Sequence, residues 1–450
     1  MRTPNWLQRA AATVPDRLAL TAGDERLTFA ELEDRAATAA RRLAWMGAVR
    51  GDRVALALEP SAHYVVLLHG LAKLGAVAVP LDPGMPRPAL ERRIEATGSS
   101  LLIADADRLD GAPEADVELD GSHELESVHC ILHTSGTAGP AKPVQLTYGN
   151  HLWSALGSAA RIGVDPADRW LCCLPLHHIG GLAIVLRCAV YGTTVAVERF
   201  DTARITTLLA SGELTIASLV ATTLSRLLDA DADLASLRCV LLGGGPAAAE
   251  LIERGLDAGA PLAPTYGLTE TASQVTTLPP GEARRRPGSA GTPLLANEVK
   301  VDGDGSILVR GPTVAPGMAH DYGWFRTGDF GRLDEDGHLY VSGRADDVIV
   351  SGGENVSPLE VEQALVSHPA VSDAAVIARE DPEWQQAVVA VVVLRDGKLA
   401  GERELVDHCR GLLAPHQVPK QIRTASRLPR DAQGKLRRRE LEWPDQPMPA

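Results

Sequence analysis

Positive charge is in short supply in this 450-residue chain, where 44 lysines and arginines face 58 aspartates and glutamates for a formal net charge of -14. That balance repels polyanions and anionic lipid, so nonspecific nucleic-acid and membrane-surface binding are excluded, and any anionic ligand needs a locally basic site. Cysteine is sparse as well. Cys130, Cys172, Cys173, Cys188, Cys239 and Cys409 sit mostly in apolar segments and form no CxxC pair, which indicates neither a zinc site nor a disulfide framework and fits a reducing cytoplasm. No long apolar run is unbroken: His69 and Lys73 interrupt Val65 to Leu81, and Arg187 interrupts Leu182 to Val197, so both read as buried elements instead of membrane spans. The opening MRTPNWLQRAAATVPDRLAL carries Asp16 and has no apolar core of the secretory kind. Internal repeats are also missing.

What is present is material for two or three globular domains, with 45% hydrophobic residues. Thr28-Phe-Ala-Glu31 has the spacing of a capping box, and Leu32, Ala36, Ala39 and Leu43 follow at helical intervals until Gly47. Apolar runs at Val54 to Leu58, Ala76 to Val79, Leu101 to Ala104, Thr193 to Val197, Ile216 to Val220 and Cys239 to Leu242 are spaced widely enough for intervening helices. The alternation predicts a large multilayer α/β domain over 1–343. From Glu298 the pattern becomes apolar–polar alternation divided by Asp302-Gly303, Asp304-Gly305 and Asp336-Gly337, which predicts an antiparallel β subregion. A smaller α+β domain is expected over 344–450. It should open with a helix whose capping box is Ser357-Pro-Leu-Glu360 and continue with strands at Ala374 to Ala378 and Ala387 to Leu394. The proline-rich stretch from Trp443 to Ala450 reads as frayed.

One segment asks for a ligand. Thr134-Ser-Gly-Thr-Ala-Gly-Pro-Ala-Lys142 follows the apolar Cys130-Ile-Leu and combines glycines, hydroxyls and a lysine, the donor set for an oxyanion such as phosphate. The P-loop pattern is not met, because Ala141 precedes Lys142 and Pro143 follows it. Four other segments stand out: Leu241-Leu-Gly-Gly-Gly-Pro246, Thr265-Tyr-Gly-Leu-Thr-Glu-Thr271, the turn-like Arg326-Thr-Gly-Asp329, and Gln433-Gly-Lys435. Taken singly they also read as a turn, a core aromatic, a turn carboxylate and a surface lysine.

In this order, and with Arg344-Ala-Asp-Asp-Val-Ile-Val-Ser-Gly-Gly-Glu-Asn-Val-Ser-Pro358 between the last two, they resemble the adenylate-forming superfamily of acyl-CoA synthetases, nonribosomal adenylation domains and luciferases, from about Trp6 to Leu441. The resemblance implies a mobile carboxyl-terminal domain and activation of a carboxylic acid with ATP and magnesium before transfer to a thiol. It gives Thr134, Ser135, Gly136, Thr137, Gly139 and Lys142 the β- and γ-phosphates. Gly243, Gly244, Gly245, Pro246, Thr265, Tyr266, Gly267 and Thr269 would form the nucleotide site, with the 243–246 turn and Tyr266 bordering adenine. Glu270 would hold magnesium, Asp329 the ribose hydroxyls with Arg344 nearby, and Lys435 the substrate carboxylate and α-phosphate. Asp346 would be the hinge. Against the family's usual loop, Ala138 replaces a threonine and Ala141 a proline, which removes one hydroxyl donor worth about 1 kcal/mol.

The flanks narrow the resemblance. Gly149-Asn-His151, Leu174-Pro-Leu-His-His-Ile-Gly-Gly181 and Thr269-Glu-Thr-Ala-Ser-Gln274 look like those of 2-succinylbenzoate:CoA ligases of menaquinone biosynthesis. His178 and Ser273 would then face the acyl substrate, and the lack of a carrier domain after Leu441 points to free coenzyme A as the thiol. His178 also has a plain reading as a core histidine, and His177 as structural. With 4% aromatic residues, an aryl acid would rest on aliphatic walls, backbone and hydroxyls such as Thr271 and Ser273. The alternatives are a ligase for another aryl or medium-chain acid and a catalytically idle nucleotide-binding protein. Oligomeric state is left open, a homo-oligomer included.

Overall fold

The computed structural model describes residues 1–134, 142–344, 347–351, 354–381, 384–430, 436–441 and 443–444. Its largest sheet runs, in spatial order, Thr292–Pro293, Ser273–Thr277, Leu262–Leu268, Cys239–Leu242, Ile216–Leu219, Arg169–Cys172, Thr194–Val197, Leu18–Ala22 and Glu25–Thr28. The strands from Leu262–Leu268 to Leu18–Ala22 are parallel, and antiparallel pairs close both ends. A second sheet orders Leu101–Ile103, Arg53–Leu56, Val77–Pro80, Val128–His133 and Pro143–Thr147, parallel except for the last pair. Strands covered on both faces need no alternation. That is why Cys239–Leu242 and Ile216–Leu219, each buried throughout, were visible only as short apolar runs.

The helix Phe29–Trp45 starts as its sequence demands. Thr28 Oγ1 accepts from Glu31 N at 3.2 Å, Glu31 Oε2 accepts from Thr28 N at 2.8 Å, and Leu32, Ala36, Ala39 and Leu43 are buried. Each interrupted apolar run divides into a helix and a strand: Ala62–Leu74 with Val77–Pro80, and Ile179–Tyr191 with Thr194–Val197. Among the described residues, no helix is long and apolar enough to cross a membrane. Lys73 is buried beside its ion partner Glu33.

The four strands Glu298–Val301, Ser306–Arg310, Phe325–Leu333 and Leu339–Arg344 form an antiparallel sheet in chain order. The Asp-Gly turns occupy its hairpins, with Gly305 N donating to Asp302 O at 2.8 Å and Gly337 N to Asp334 O at 3.0 Å. Beyond them, Ile349–Ser351, Glu354–Val356, Val371–Asp381, Gln385–Leu394 and Gln421–Thr424 make a further sheet with the helices Pro358–Val366 and Glu402–Arg410. A core containing Val361, Leu365, Val376, Val388, Leu405 and Ile422 is drawn only from this part of the chain. The fold is therefore mixed α/β, with a large amino-terminal part, an antiparallel subregion and a small α+β carboxyl-terminal part.

Two expectations need correcting. Ser357 precedes the helix Pro358–Val366 but does not cap it through its side chain, because its hydroxyl donates to the carbonyl of Ser342. Trp443 is not frayed: it is half-buried against a small cluster that includes Leu428, with Arg379 and Arg423 stacked on its ring.

Candidate active site

The donor-rich loop closes a hairpin. His133 and Pro143 are register partners in the antiparallel pair Val128–His133 and Pro143–Thr147, and Thr134 N donates to Lys142 O at 3.1 Å. Its neck is thus held by backbone, and the Lys142 side chain is exposed. Ser135, Gly136, Thr137 and Gly139 lie outside the described residues, as do Asp346 and Lys435. The strand Pro143–Thr147 packs against the turn Thr269–Thr271, which carries Glu270.

Gly243 to Pro246 emerge from the carboxyl end of the parallel strand Cys239–Leu242, where open α/β sheets bind ligands. Gly244 has φ +80°, a left-handed conformation that favours glycine. On the neighbouring strand, Gly267 has no room for any side chain, since a Cβ would lie 1.7 Å from Ser273 O. Tyr266 Oη donates to Asp329 Oδ2 at 2.7 Å. Asp329 is buried, and Arg344 Nε stands 3.4 Å from its Oδ1, close enough to pair charges but too poorly aligned for a hydrogen bond. Burial first and the Asp329 charge second push the Tyr266 hydroxyl well above the usual phenol range. Asp329 is not on a turn, as its sequence suggested, but inside the strand Phe325–Leu333, facing Arg344 across the ladder.

Glu270 is half-buried in the turn Thr269–Thr271, and its carboxylate makes no hydrogen bond or ion pair with a described residue. A carboxylate left without a protein partner suits a hard cation with oxygen ligands. The Thr269 hydroxyl is likewise without a partner among the described residues, whereas Thr265 Oγ1 donates to Thr276 O at 2.7 Å. Thr271 is buried and bonded to Leu268 and Ser273 backbone, so its hydroxyl holds the turn instead of facing a substrate. The next two residues, Ala272 and Ser273, have φ +51° and +95°. Left-handed non-glycine residues cost about 1–3 kcal/mol each and persist where surroundings over-determine them, often at functional sites.

The Gly149-Asn-His151 stretch supports this turn from behind. Asn150 Nδ2 donates to Pro312 O at 2.8 Å and Val314 O at 3.0 Å, and the adjoining Ala315 N donates to Glu270 O at 2.8 Å. His151 is buried against Cys130, 3.4 Å from its sulfur, and burial drives its imidazole down to about 3. His178 is half-buried at the start of the helix Ile179–Tyr191, with its ring 4.4 Å from that of His177. Both histidines lie on the turn that enters this helix.

One functional candidate was missed. Arg187 served in the sequence only as a break in an apolar run, yet it is 2% exposed and makes no ion pair with a described residue. Its Nη2 donates to Ser154 Oγ at 3.1 Å, Ser154 Oγ donates to Ala272 O at 2.7 Å, and its buried Nε has no partner among the described residues. A buried guanidinium beside the strained Ala272–Ser273 backbone has the chemistry of a carboxylate receptor. The usable signal was an arginine inside the otherwise apolar helix Ile179–Tyr191. The basic run Arg284-Arg-Arg286 is different: Arg284 pairs with Asp257 and Arg286 with Asp334 and Asp336, so these two charges are matched by neighbouring acids.

The fold and this site define an enzyme class. Residues 7–318 match the AMP-binding enzyme family and residues 360–435 the AMP-binding enzyme C-terminal domain, and the chain belongs to that family. Among its relatives is the 2-succinylbenzoate--CoA ligase of Geobacillus kaustophilus (strain HTA426), 41% identical over 98% of this chain and 97% of the relative. The o-succinylbenzoate CoA synthetase of Bacillus subtilis superposes with a TM-score of 0.93 as its complex with the acyl-adenylate intermediate, at 36% identity over 99% of each chain. The same protein in complex with ATP and magnesium superposes at 0.91, at 36% identity over 98% of this chain and 100% of that one.

Proposed function

We propose that this chain ligates 2-succinylbenzoate to coenzyme A, a step of menaquinone biosynthesis, in two half-reactions. A carboxylate oxygen of the acid attacks the α-phosphorus of ATP and pyrophosphate leaves, giving the acyl-adenylate. The coenzyme A sulfur then attacks the acyl carbon and AMP leaves. The observation that carries this reading is the match to ligases of that name over essentially the whole chain. The carboxylate of Glu270, without a partner among the described residues, fits magnesium, which when bound would neutralise phosphate charge. Asp329, buried and oriented by Tyr266 and Arg344, would accept the ribose hydroxyls. The 134–142 loop would donate to the departing phosphates, with Lys142 adding charge.

Arg187 bears on the choice of acid. 2-Succinylbenzoate carries a ring carboxylate besides the one activated, and burying it unpaired would be costly. Arg187 would receive it, while His178 and Ser273 line the succinyl arm. We place the pivot between the two parts at Asp346, after a large domain ending at 343, so that Lys435 reaches the α-phosphate in only one orientation.

With ATP, magnesium and coenzyme A, the expected product is 2-succinylbenzoyl-CoA, at a kcat/KM at least about tenfold above that for benzoate or octanoate. Comparable turnover of octanoate would make the protein a general acyl-CoA synthetase. Absence of pyrophosphate release with every acid would leave only the idle nucleotide-binding reading.

A further inference from the structure

Residues 345–346 are bracketed by neighbours tied to one helix. On the preceding side, the carbonyl of Ser342 accepts from the hydroxyl of Ser357, the residue that starts the helix Pro358–Val366. On the following side, the carboxylate of Asp347 accepts from Arg438 Nη1 at 3.1 Å. The other amino group of Arg438 reaches that same helix, donating to Glu362 Oε1 at 2.6 Å and Oε2 at 2.7 Å. Glu362 is buried and also accepts Val376 N at 2.8 Å, and Arg438 Nε donates to Val376 O at 3.3 Å. One guanidinium therefore joins three segments: the strand Val371–Asp381, the helix, and the first described residue after 345–346. Among the described residues, the side chain of its neighbour Arg437 makes only a local, exposed pair with Glu440 at 3.0 Å.

We propose that Arg438 is a positioning residue for adenylation, fastening the segment that carries Lys435, three residues upstream, to the pivot-side Asp347 and to the helix Pro358–Val366. The inference rests on the roles proposed above for Lys435 and Asp346. A lysine that acts in one domain orientation must be presented at a fixed height and angle, because a misplacement on the order of 1 Å can cost a hundredfold in rate. Backbone pairing between Arg430 and Leu436 ties the base of that segment locally but does not refer it to the pivot. Arg438 supplies that reference through paired, largely buried charges, and truncating it leaves Glu362 uncompensated.

The test uses the full-length enzyme and its Arg438→Gln, Arg438→Lys, Arg437→Gln and Glu362→Gln variants. Two rates are read: acid-dependent pyrophosphate release without coenzyme A, and thioester formation from synthetic 2-succinylbenzoyl-adenylate. Arg438→Gln is expected to lower the first by about 10- to 100-fold through kcat, with the KM for ATP little changed, and to leave the second within about twofold. Arg438→Lys should recover part of the loss, Arg437→Gln should match the parent, and Glu362→Gln should fall between while keeping the shape of the buried site. In a Lys435→Ala background, Arg438→Gln should remove nothing further, since both act through one group. Equal loss in both half-reactions, or a further loss in that background, would show a merely structural residue and overturn the proposal. So would an Arg438→Gln enzyme as active as Arg437→Gln. If the parent enzyme itself releases no pyrophosphate with any acid, the proposed function falls and takes this inference with it, a result distinct from failure of the variants alone.

Discussion

Lys435→Ala is expected to slow acyl-adenylate formation by about a thousandfold, while thioester formation from presynthesised acyl-adenylate stays within about twofold of the parent. The asymmetry follows from where charge develops. As the carboxylate attacks the α-phosphorus, negative charge builds on the phosphoryl oxygens, and a single fixed donor there is worth about 10²- to 10³-fold. In its proposed role Lys435 would add a full positive charge to that donor, so its effect belongs at the upper end. In the second half-reaction the acyl carbon is the electrophile, and on the reading proposed above the carboxyl-terminal part would have rotated about Asp346. Stopped-flow pyrophosphate release and a separate thioester assay read the two steps. Equal losses in both would assign Lys435 a structural role.

The second large effect is expected at Arg187. Arg187→Met preserves much of the side-chain length while removing the charge, and it should lower kcat/KM for 2-succinylbenzoate by about 30- to 1,000-fold, or about 2–4 kcal/mol, the range for truncating one partner of a buried charge pair. The decisive comparison is with 4-oxo-4-phenylbutanoate, which lacks the ring carboxylate. The parent enzyme should reject this analogue strongly, because it leaves Arg187 buried and unpaired. The Arg187→Met enzyme should turn it over at least as well as the parent does. If the variant loses the same factor on both acids, Arg187 holds the core through Ser154 and Trp170 and does not read the substrate.

Those two residues mark what a chain can and cannot disclose. Short apolar runs between helical segments were enough to place several of the parallel strands, because burial on both faces leaves a simple compositional trace, but Leu18–Ala22, Arg169–Cys172 and Leu262–Leu268 were not among them. The Asp-Gly hairpins and the Thr28 capping box were equally plain, since each is set by neighbours within a few residues. Ser357 shows the limit of such local rules. Its spacing to Glu360 is that of a capping box, but a carbonyl from a distant strand competes for the hydroxyl and wins. Asp329 read as a turn residue because Gly328 precedes it, whereas cross-strand pairing with Arg344 keeps it in a ladder. Arg187 was only half legible for a different reason: an arginine in an apolar helix can be read from sequence, but that no described residue pairs with its charge is a property of the packed interior. The 134–142 segment, proposed above to meet the phosphates, was legible as a donor-rich stretch because its donors are contiguous in sequence. Its hairpin closure was not, because the partner strand Pro143–Thr147 begins with proline and alternates only briefly.

On the proposed acyl-adenylate route the acid's own oxygen passes to AMP. 2-Succinylbenzoate labelled with ¹⁸O in both oxygens of the succinyl carboxylate, turned over with ATP, magnesium and coenzyme A, should yield AMP carrying one ¹⁸O at phosphorus and pyrophosphate carrying none. The carboxylate oxygen bonds to the α-phosphorus in the first step and stays there when sulfur displaces AMP from the acyl carbon. Label in inorganic phosphate or pyrophosphate, or unlabelled AMP alongside full thioester formation, would contradict an acyl-adenylate route.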